Sequence, residues 1–226
     1  MAEKTDKNST LDYVNEIWGI ADYVRDVIPR ADYNKVVLPF ALLRRLECAL
    51  EPTRDAVCKA YEEHVADWGL DSDNYCHYSG KAFYNLTDFR LGGDKGVSAD
   101  STWDSLEAYI NGFSENARLI MEQFEMKNTC QKLESHNMLY EVCKKFWNLD
   151  FSAEAVSDRD MSNIYEHLIE RYGDEIAENA EDFMTPKDVV RLAVKLIFAG
   201  DDELMAAEGN VRSLYDPSCG TCGFIT

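Results

Sequence analysis

The chain has 226 residues, 46% hydrophobic and 12% aromatic, which is enough apolar material for one large domain or two small ones. Its 42 acidic and 23 basic residues give a formal net charge of −19, which argues against autonomous binding to DNA phosphates, although a partner could supply basic surface. No apolar run approaches the roughly 18 residues of a membrane span and the start carries no apolar signal segment, so we expect a cytoplasmic protein without membrane contact.

Helical periodicity dominates the first part of the chain. Apolar residues recur at three- and four-residue steps from Leu11 to Ile28, which predicts a helix that Pro29 ends. A second helix, capped by Asp32, is predicted to run to Leu50, and the same apolar face continues to about Trp68. Because proline lacks the N–H of the helical ladder, we expect kinks or restarts at two positions, Pro39 and Pro52.

The middle of the chain alternates between loop-like and helical patterns. Segment 69–96 is rich in Gly, Asp, Asn, Ser and Tyr, and predicts loops around a short strand pair or isolated turns. A helix over 161–172 is predicted to open at the capping pattern Ser157-x-x-Asp160 and to close at Gly173. Three further stretches predict short helices, over 106–113, 117–124 and 139–146.

The last fifty residues predict the opening of an α/β domain. An acidic segment, 174–184, is predicted to be a mobile loop, and Thr185 then caps a helix with Pro186 at its first position. A strand over 211–215 leads into Asp216 and a small-residue turn, an arrangement that presents backbone N–H groups to ligands in doubly wound domains. A strand–crossover–strand unit needs about 30 residues. Only ten residues follow Asp216, so we expect this chain to be the front part of a larger protein.

Some features allow other interpretations. The basic pairs Arg44-Arg45 and Lys144-Lys145 are more often solvated helix faces than phosphate clamps. The pair Cys219 and Cys222 forms a C-x-x-C element, which could be a redox dithiol or half of a zinc site, although zinc needs two more ligands. With an odd count of seven scattered cysteines, a disulfide framework is not expected.

Several strings resemble one family when they are taken together. The segments 181–187 and 216–224 are similar to the methyltransferase (modification) subunits of type I restriction-modification systems, which carry a Phe-Tyr-Thr-Pro element followed by the S-adenosylmethionine loop D-P-x-C-G-T-G-G-F. Segments 17–22, 42–46 and 108–114 look like the N-terminal helical domain of that family. Each string alone is weak, but their order and spacing extend the resemblance over nearly the whole chain.

The resemblance implies a mainly α fold with two parts. Residues 1–173 would form an N-terminal helical domain that clamps DNA and binds partner subunits. Residues 174–226 would form the first elements of a truncated, Rossmann-like, S-adenosylmethionine-dependent methyltransferase domain. The implied reaction is adenine-N6 methylation of double-stranded DNA within a complex. The implied partners are a specificity subunit, a second methyltransferase subunit and a restriction/translocase subunit.

The resemblance also implies a cofactor site. S-adenosylmethionine offers a carboxylate and an ammonium group, which a turn of exposed N–H groups and a nearby carboxylate would match. The implied cofactor-binding residues are Asp216, Gly220, Thr221, Gly223, Phe183, Thr185 and Pro186. Cys222 stands where the family has Gly, and a Cβ there would cost about 1–2 kcal/mol if the position needs positive φ.

No catalytic residue is identified. Amino-methyltransferases hold the extruded base with an N-P-P-[FY] tetrapeptide, and this sequence has no such string. We therefore expect the chain alone to be inactive and to bind S-adenosylmethionine weakly or not at all. The alternative is a non-enzymatic helical interaction module that binds a specificity subunit or another partner.

Overall fold

Helices dominate the structure. A computed structural model describes residues 10–176, 185, 187–201, 213–219 and 224. The chain divides into two compact units, Met1–Glu175 and Ile176–Thr226. The described residues contain ten α-helices: α1 Thr10–Tyr23, α2 Asn34–Leu50, α3 Arg54–Trp68, α4 Asn74–Ser79, α5 Thr102–Asn111, α6 Glu115–Gln123, α7 Met126–Ser135, α8 Leu139–Trp147, α9 Asp158–Ile176 and α10 Lys187–Ile197. The predicted mainly α fold is confirmed.

Helix α2 is central to the core of the first unit. It contacts α1, α7 and α8, and its apolar side chains are buried around much of its circumference, as expected for an interior helix. The rings of Phe40 on α2 and Phe146 on α8 stack with centroids 5.4 Å apart. Helix α9 contributes Met161, Ile164 and Leu168 to the same core. A smaller cluster, separate from this core, lies at α3 and α4.

The start of α2 differs from the prediction. Asp32 lies in a 3₁₀ turn and α2 begins at Asn34, so the predicted cap is wrong; the Asp32 carboxylate instead pairs with Lys35 Nζ at 2.8 Å. Helix α2 continues through Pro39 without a restart. The restart at Pro52 is confirmed, because a 3₁₀ turn over Glu51–Thr53 separates α2 from α3.

The first helix is shorter than predicted. It ends at Tyr23 and not at Pro29, and hydrogen-bonded turns continue the chain. The bond from the N–H of Val27 to the carbonyl of Val24 spans three residues, the tighter 3₁₀ pattern that often follows a helix end.

Two helices were missed by the sequence patterns. In the segment predicted as loops and turns, α4 forms because Tyr75 is buried against the ring of Trp68, with centroids 5.4 Å apart. Isolated bridges, Asn85 with Phe113 and Arg90 with Gly96, replace the alternative strand pair. Helix α7 follows a polar sequence whose apolar residues are few but buried: Met126, Cys130 and Leu133.

The predictions for residues 157–215 are confirmed only in part. The cap of α9 is confirmed, since Ser157 Oγ accepts the backbone N–H of Asp160 at 3.1 Å, but the helix runs past Gly173 to Ile176. The predicted loop 174–184 therefore loses its first three residues to α9, and the rest lies outside the described residues. In the predicted strand 211–215, the described residues 213–215 belong to no strand.

Candidate functional site

Asp216 begins a structured turn. Its Oδ1 accepts the backbone N–H of Ser218 at 2.9 Å, the bond that defines an Asx turn. Asp216 is half-buried, while Leu214 and Tyr215 before it are exposed. A carboxylate has about four acceptor positions, so this bond leaves capacity for an ammonium group.

The described residues cover only part of the predicted cofactor site. Asp216 lies at the turn, and Thr185 is exposed shortly before α10. The other predicted contacts, and Cys222, fall outside the described residues: Phe183, Pro186, Gly220, Thr221 and Gly223. The grouping of these seven residues therefore stays a prediction.

Helix α10 has an uncovered apolar face. It runs from Lys187 to Ile197, and Pro186, which is predicted at its first position, lies outside the described residues. Four large apolar side chains at helical spacing are exposed: Val189, Leu192, Leu196 and Ile197. Their helical spacing places these side chains along one side of α10.

Arg45 forms hydrogen bonds with the segment that leads into α9. Its Nη1 donates to the carbonyls of Phe151 at 2.6 Å and Val156 at 2.9 Å, and its Nη2 lies 2.6 Å from Asp158 Oδ1. Only 14% of its side chain is exposed. The prediction of a solvated helix face is therefore wrong for Arg45, and the guanidinium is not available to phosphate either.

Arg44 is equally engaged. Its Nε donates to the carbonyl of Leu149 at 2.8 Å, its Nη1 to Glu47 Oε2 at 2.9 Å, and its guanidinium lies 4.4 Å from the Trp147 ring centroid. In the second basic pair, the side chain of Lys144 is 55% exposed and its Nζ lies 3.7 Å from Glu141 Oε1. The sequence could not reveal the role of Arg44, because its carbonyl partner is 105 residues away.

A buried carboxylate lies beside Arg44. Glu47 is fully buried, and its Oε1 accepts the backbone N–H of Leu91 at 3.0 Å. Burial raises the pKa of this carboxyl, and the nearby Arg44 guanidinium opposes the shift. Arg54, also buried, donates to the carbonyl of Phe89 at 2.6 Å. Arg44 and Glu47 bind each other and the main chain, and Arg54 binds the main chain at Phe89, so we assign all three a structural role.

The redox and zinc alternatives concern Cys219 and Cys222, and Cys222 lies outside the described residues. Within the described part of the chain, no three His, Cys, Asp or Glu side chains are grouped to hold a metal ion. Cys130 and Cys143 are buried, and burial raises the pKa of both thiols, which suppresses the reactive thiolate. Cys219 is exposed.

Tyr84 should give a pH-dependent stability. Its hydroxyl donates to the carbonyl of Leu70 at 2.9 Å, and burial raises its pKa from 10.0 to about 12. The folded protein therefore keeps this proton at pH values where the unfolded chain has lost it. The associated stability is complete below pH 10 and is lost as pH rises toward 12. Across this range, the free energy of unfolding should fall more steeply with pH in the wild type than in Tyr84→Phe. Parallel plots of the unfolding free energy against pH would contradict the assignment.

None of the helices within the described residues has the length and apolar character needed to cross a membrane.

Comparisons with known proteins identify the family. Residues 13–146 match the family described as HsdM N-terminal domain, and residues 156–226 match the family described as N-6 DNA Methylase. Two proteins of Dictyostelium discoideum, probable polyketide synthases 23 and 22, are each 25% identical over 142 residues, which is 63% of this chain. The chain spans only 5% of the length of these two relatives, so the likeness assigns no activity. No solved structure matches. With the HsdM N-terminal domain over more than half of its length and an N-6 DNA methylase segment after it, the chain belongs to the methyltransferase subunits of type I restriction-modification systems.

Proposed function

We propose that this chain is the N-terminal part of a site-specific DNA adenine-N6 methyltransferase subunit, which acts within a type I restriction-modification complex in the cytoplasm. The observation that carries the proposal is the order of the two family matches on one chain, 13–146 and then 156–226. A helical domain followed by an N6-methylase segment is the organisation expected of such a subunit.

The Asp216 turn is the proposed cofactor contact. S-adenosylmethionine, when bound, supplies an electrophilic methyl group. The Asp216 carboxylate, held by the N–H of Ser218, is suited to accept hydrogen bonds from the ammonium group of the methionine part. The remaining contacts are proposed from the family pattern: the amides of Gly220, Thr221 and Gly223, and packing from Phe183, Thr185 and Pro186.

Partners would have to provide most of the DNA affinity. Arg44 and Arg45 bind main-chain carbonyls, and other cations of the first unit pair with carboxylates, such as Arg118 with Asp71 at 2.8 Å and Arg90 with Glu51 at 2.8 Å. With a net charge of −19, the chain would be repelled by phosphate. We therefore propose that a specificity subunit recognises the DNA. A second methyltransferase subunit and a restriction/translocase subunit would complete the complex.

The test is cofactor binding and methyl transfer by the native gene product with its specificity subunit. We expect labelled S-adenosylmethionine to methylate duplex DNA. Asp216→Asn should weaken cofactor binding by about tenfold or more, because a charge-assisted hydrogen bond contributes about 1.5–3 kcal/mol. Asp201→Asn is the matched control, since Asp201 is an exposed aspartate in the same unit.

Two outcomes would overturn parts of the proposal. If Asp216→Asn binds S-adenosylmethionine as tightly as the wild type does, this carboxylate is not part of the cofactor site. A complex that assembles with the specificity subunit but ignores S-adenosylmethionine would favour the non-enzymatic interaction module. The 226-residue chain alone should give no turnover, because its sequence has no N-P-P-[FY] string, and robust methylation by it would contradict this expectation.

A further inference from the structure

We propose that the α3–α4 corner, formed by His64, Trp68, Leu70 and Tyr78, is a docking surface for a basic, arginine-containing segment of a partner protein. Nothing in the two family matches assigns a role to this surface. The corner combines exposed apolar side chains, a fixed backbone and a local negative charge.

The corner exposes apolar and aromatic surface. Leu70 is 56% exposed and Tyr78 is 40% exposed. The Trp68 ring connects two other side chains of the corner, because it stacks on His64 with centroids 4.2 Å apart and lies 6.2 Å from the Tyr78 ring. Aromatic rings that are partly open to solvent are the surfaces on which guanidinium groups stack.

Buried tyrosines hold the corner in place. The Tyr75 hydroxyl donates to the carbonyl of Gly69 at 2.9 Å, and the Tyr84 hydroxyl donates to the carbonyl of Leu70 at 2.9 Å. Gly69 has a φ of 71°, which lets the chain turn sharply after α3. A surface already fixed in this way loses little conformational entropy when a partner binds.

The local charge favours a cationic partner. The sequence between Ala60 and Gly80 has no lysine or arginine. It contains five exposed carboxylates: Glu62, Glu63, Asp67, Asp71 and Asp73. The flanking cations Lys59, Lys81 and Arg118 only partly offset them; Lys59 pairs with Glu63 at 3.8 Å and Arg118 with Asp71 at 2.8 Å. Charge complementarity therefore selects a basic partner.

The same charge disfavours two other occupants. DNA would bring phosphates against these carboxylates. A second copy joined by twofold symmetry would place the same acidic patch against itself. A basic protein segment avoids both repulsions, and its guanidinium groups can contact carboxylates and aromatic rings together.

The test uses an octapeptide of alternating arginine and glycine as the probe, with a glutamate–glycine octapeptide and a short DNA duplex as comparisons. Binding to the whole chain is measured by calorimetry, and the binding site by NMR shifts of the tryptophan indole N–H signals. We expect the arginine peptide to shift the Trp68 signal. Leu70→Ser with Tyr78→Ser should weaken its binding by about tenfold, as should Asp67→Asn with Asp73→Asn.

Matched variants separate the corner from the general acidity of the chain. Tyr140→Ser removes a partly exposed tyrosine on α8, and Asp12→Asn with Glu16→Asn removes two charges from α1. Both controls should bind the peptide nearly as the wild type does. Equal losses in corner and control variants would overturn the proposal, as would DNA binding at the corner. Self-association that Leu70→Ser abolishes would assign the surface to a second copy and would also overturn it.

Discussion

Replacing Glu47 by leucine should lower the free energy of unfolding by about 3–5 kcal/mol, the range found when one partner of a buried ion pair is removed. The carboxylate is fully buried and accepts from the Arg44 guanidinium at 2.9 Å and from the Leu91 N–H at 3.0 Å. Leucine fills much of the same volume but leaves the N–H without an acceptor and the guanidinium without its counterion. Urea denaturation at neutral pH measures the loss.

The control is Glu63→Leu on α3. Glu63 is 55% exposed and its carboxylate lies 3.8 Å from Lys59 Nζ, so the pair is open to solvent. An exposed helical ion pair contributes about 0.3–0.5 kcal/mol, and the control variant should lose no more than that. If Glu47→Leu costs as little as Glu63→Leu, the buried pair does not stabilise the link between α2 and the segment at Leu91.

Local sequence patterns predicted the helices whose apolar stripe is dense. Helices α1, α2 and α9 each carry such a stripe, and the sequence located them, although not all of their ends. Helix α4 has only six residues and forms because Tyr75 packs against the Trp68 ring. Helix α7 buries only three apolar residues of its ten. In both cases tertiary packing supplies what local propensity lacks.

In the candidate site, too, local contacts were predictable from the sequence and long-range contacts were not. The Asp216 turn is local, since the carboxylate reaches an N–H two residues away, and the sequence Asp-Pro-Ser predicts it. The roles of Arg44 and Arg45 were not predicted, because their carbonyl acceptors are 105 to 111 residues away. A charged pair on an amphipathic helix has the same pattern whether water or a distant carbonyl solvates it.

Helix α9 shows how a family boundary and a structural boundary can differ. The N-6 DNA methylase match begins at residue 156, before α9. Yet α9 buries Ile164 and Leu168 in the core of the first unit, and the Tyr165 hydroxyl reaches the carbonyl of Leu38 at 3.4 Å. Arg45 fixes its start through Asp158. Helix α9 therefore belongs to the methylase match by sequence but packs in the core of the first unit.

Replacing Gly92 by alanine should destabilise the first unit by about 1–3 kcal/mol, the usual cost of overpacking a filled site. A Cβ at Gly92 would lie 2.6 Å from Trp147 Cγ and 2.9 Å from Trp147 Cβ, closer than carbon atoms can approach. These atoms are at the base of the side chain, so rotation of the indole ring cannot remove the clash. The ring is also held by the Arg44 guanidinium, 4.4 Å from its centroid.

Gly19→Ala is the control, and it should change the stability in the opposite direction. Gly19 lies on the exposed side of α1, and a Cβ there would meet no atom within 4 Å. Alanine in the interior of a helix is favoured over glycine by about 0.5–1 kcal/mol, so this variant should be more stable than the wild type. Thermal unfolding of the two variants under the same conditions should shift the midpoint in opposite directions. Two shifts of the same sign would mean that the contact between Gly92 and Trp147 is not the close packing described.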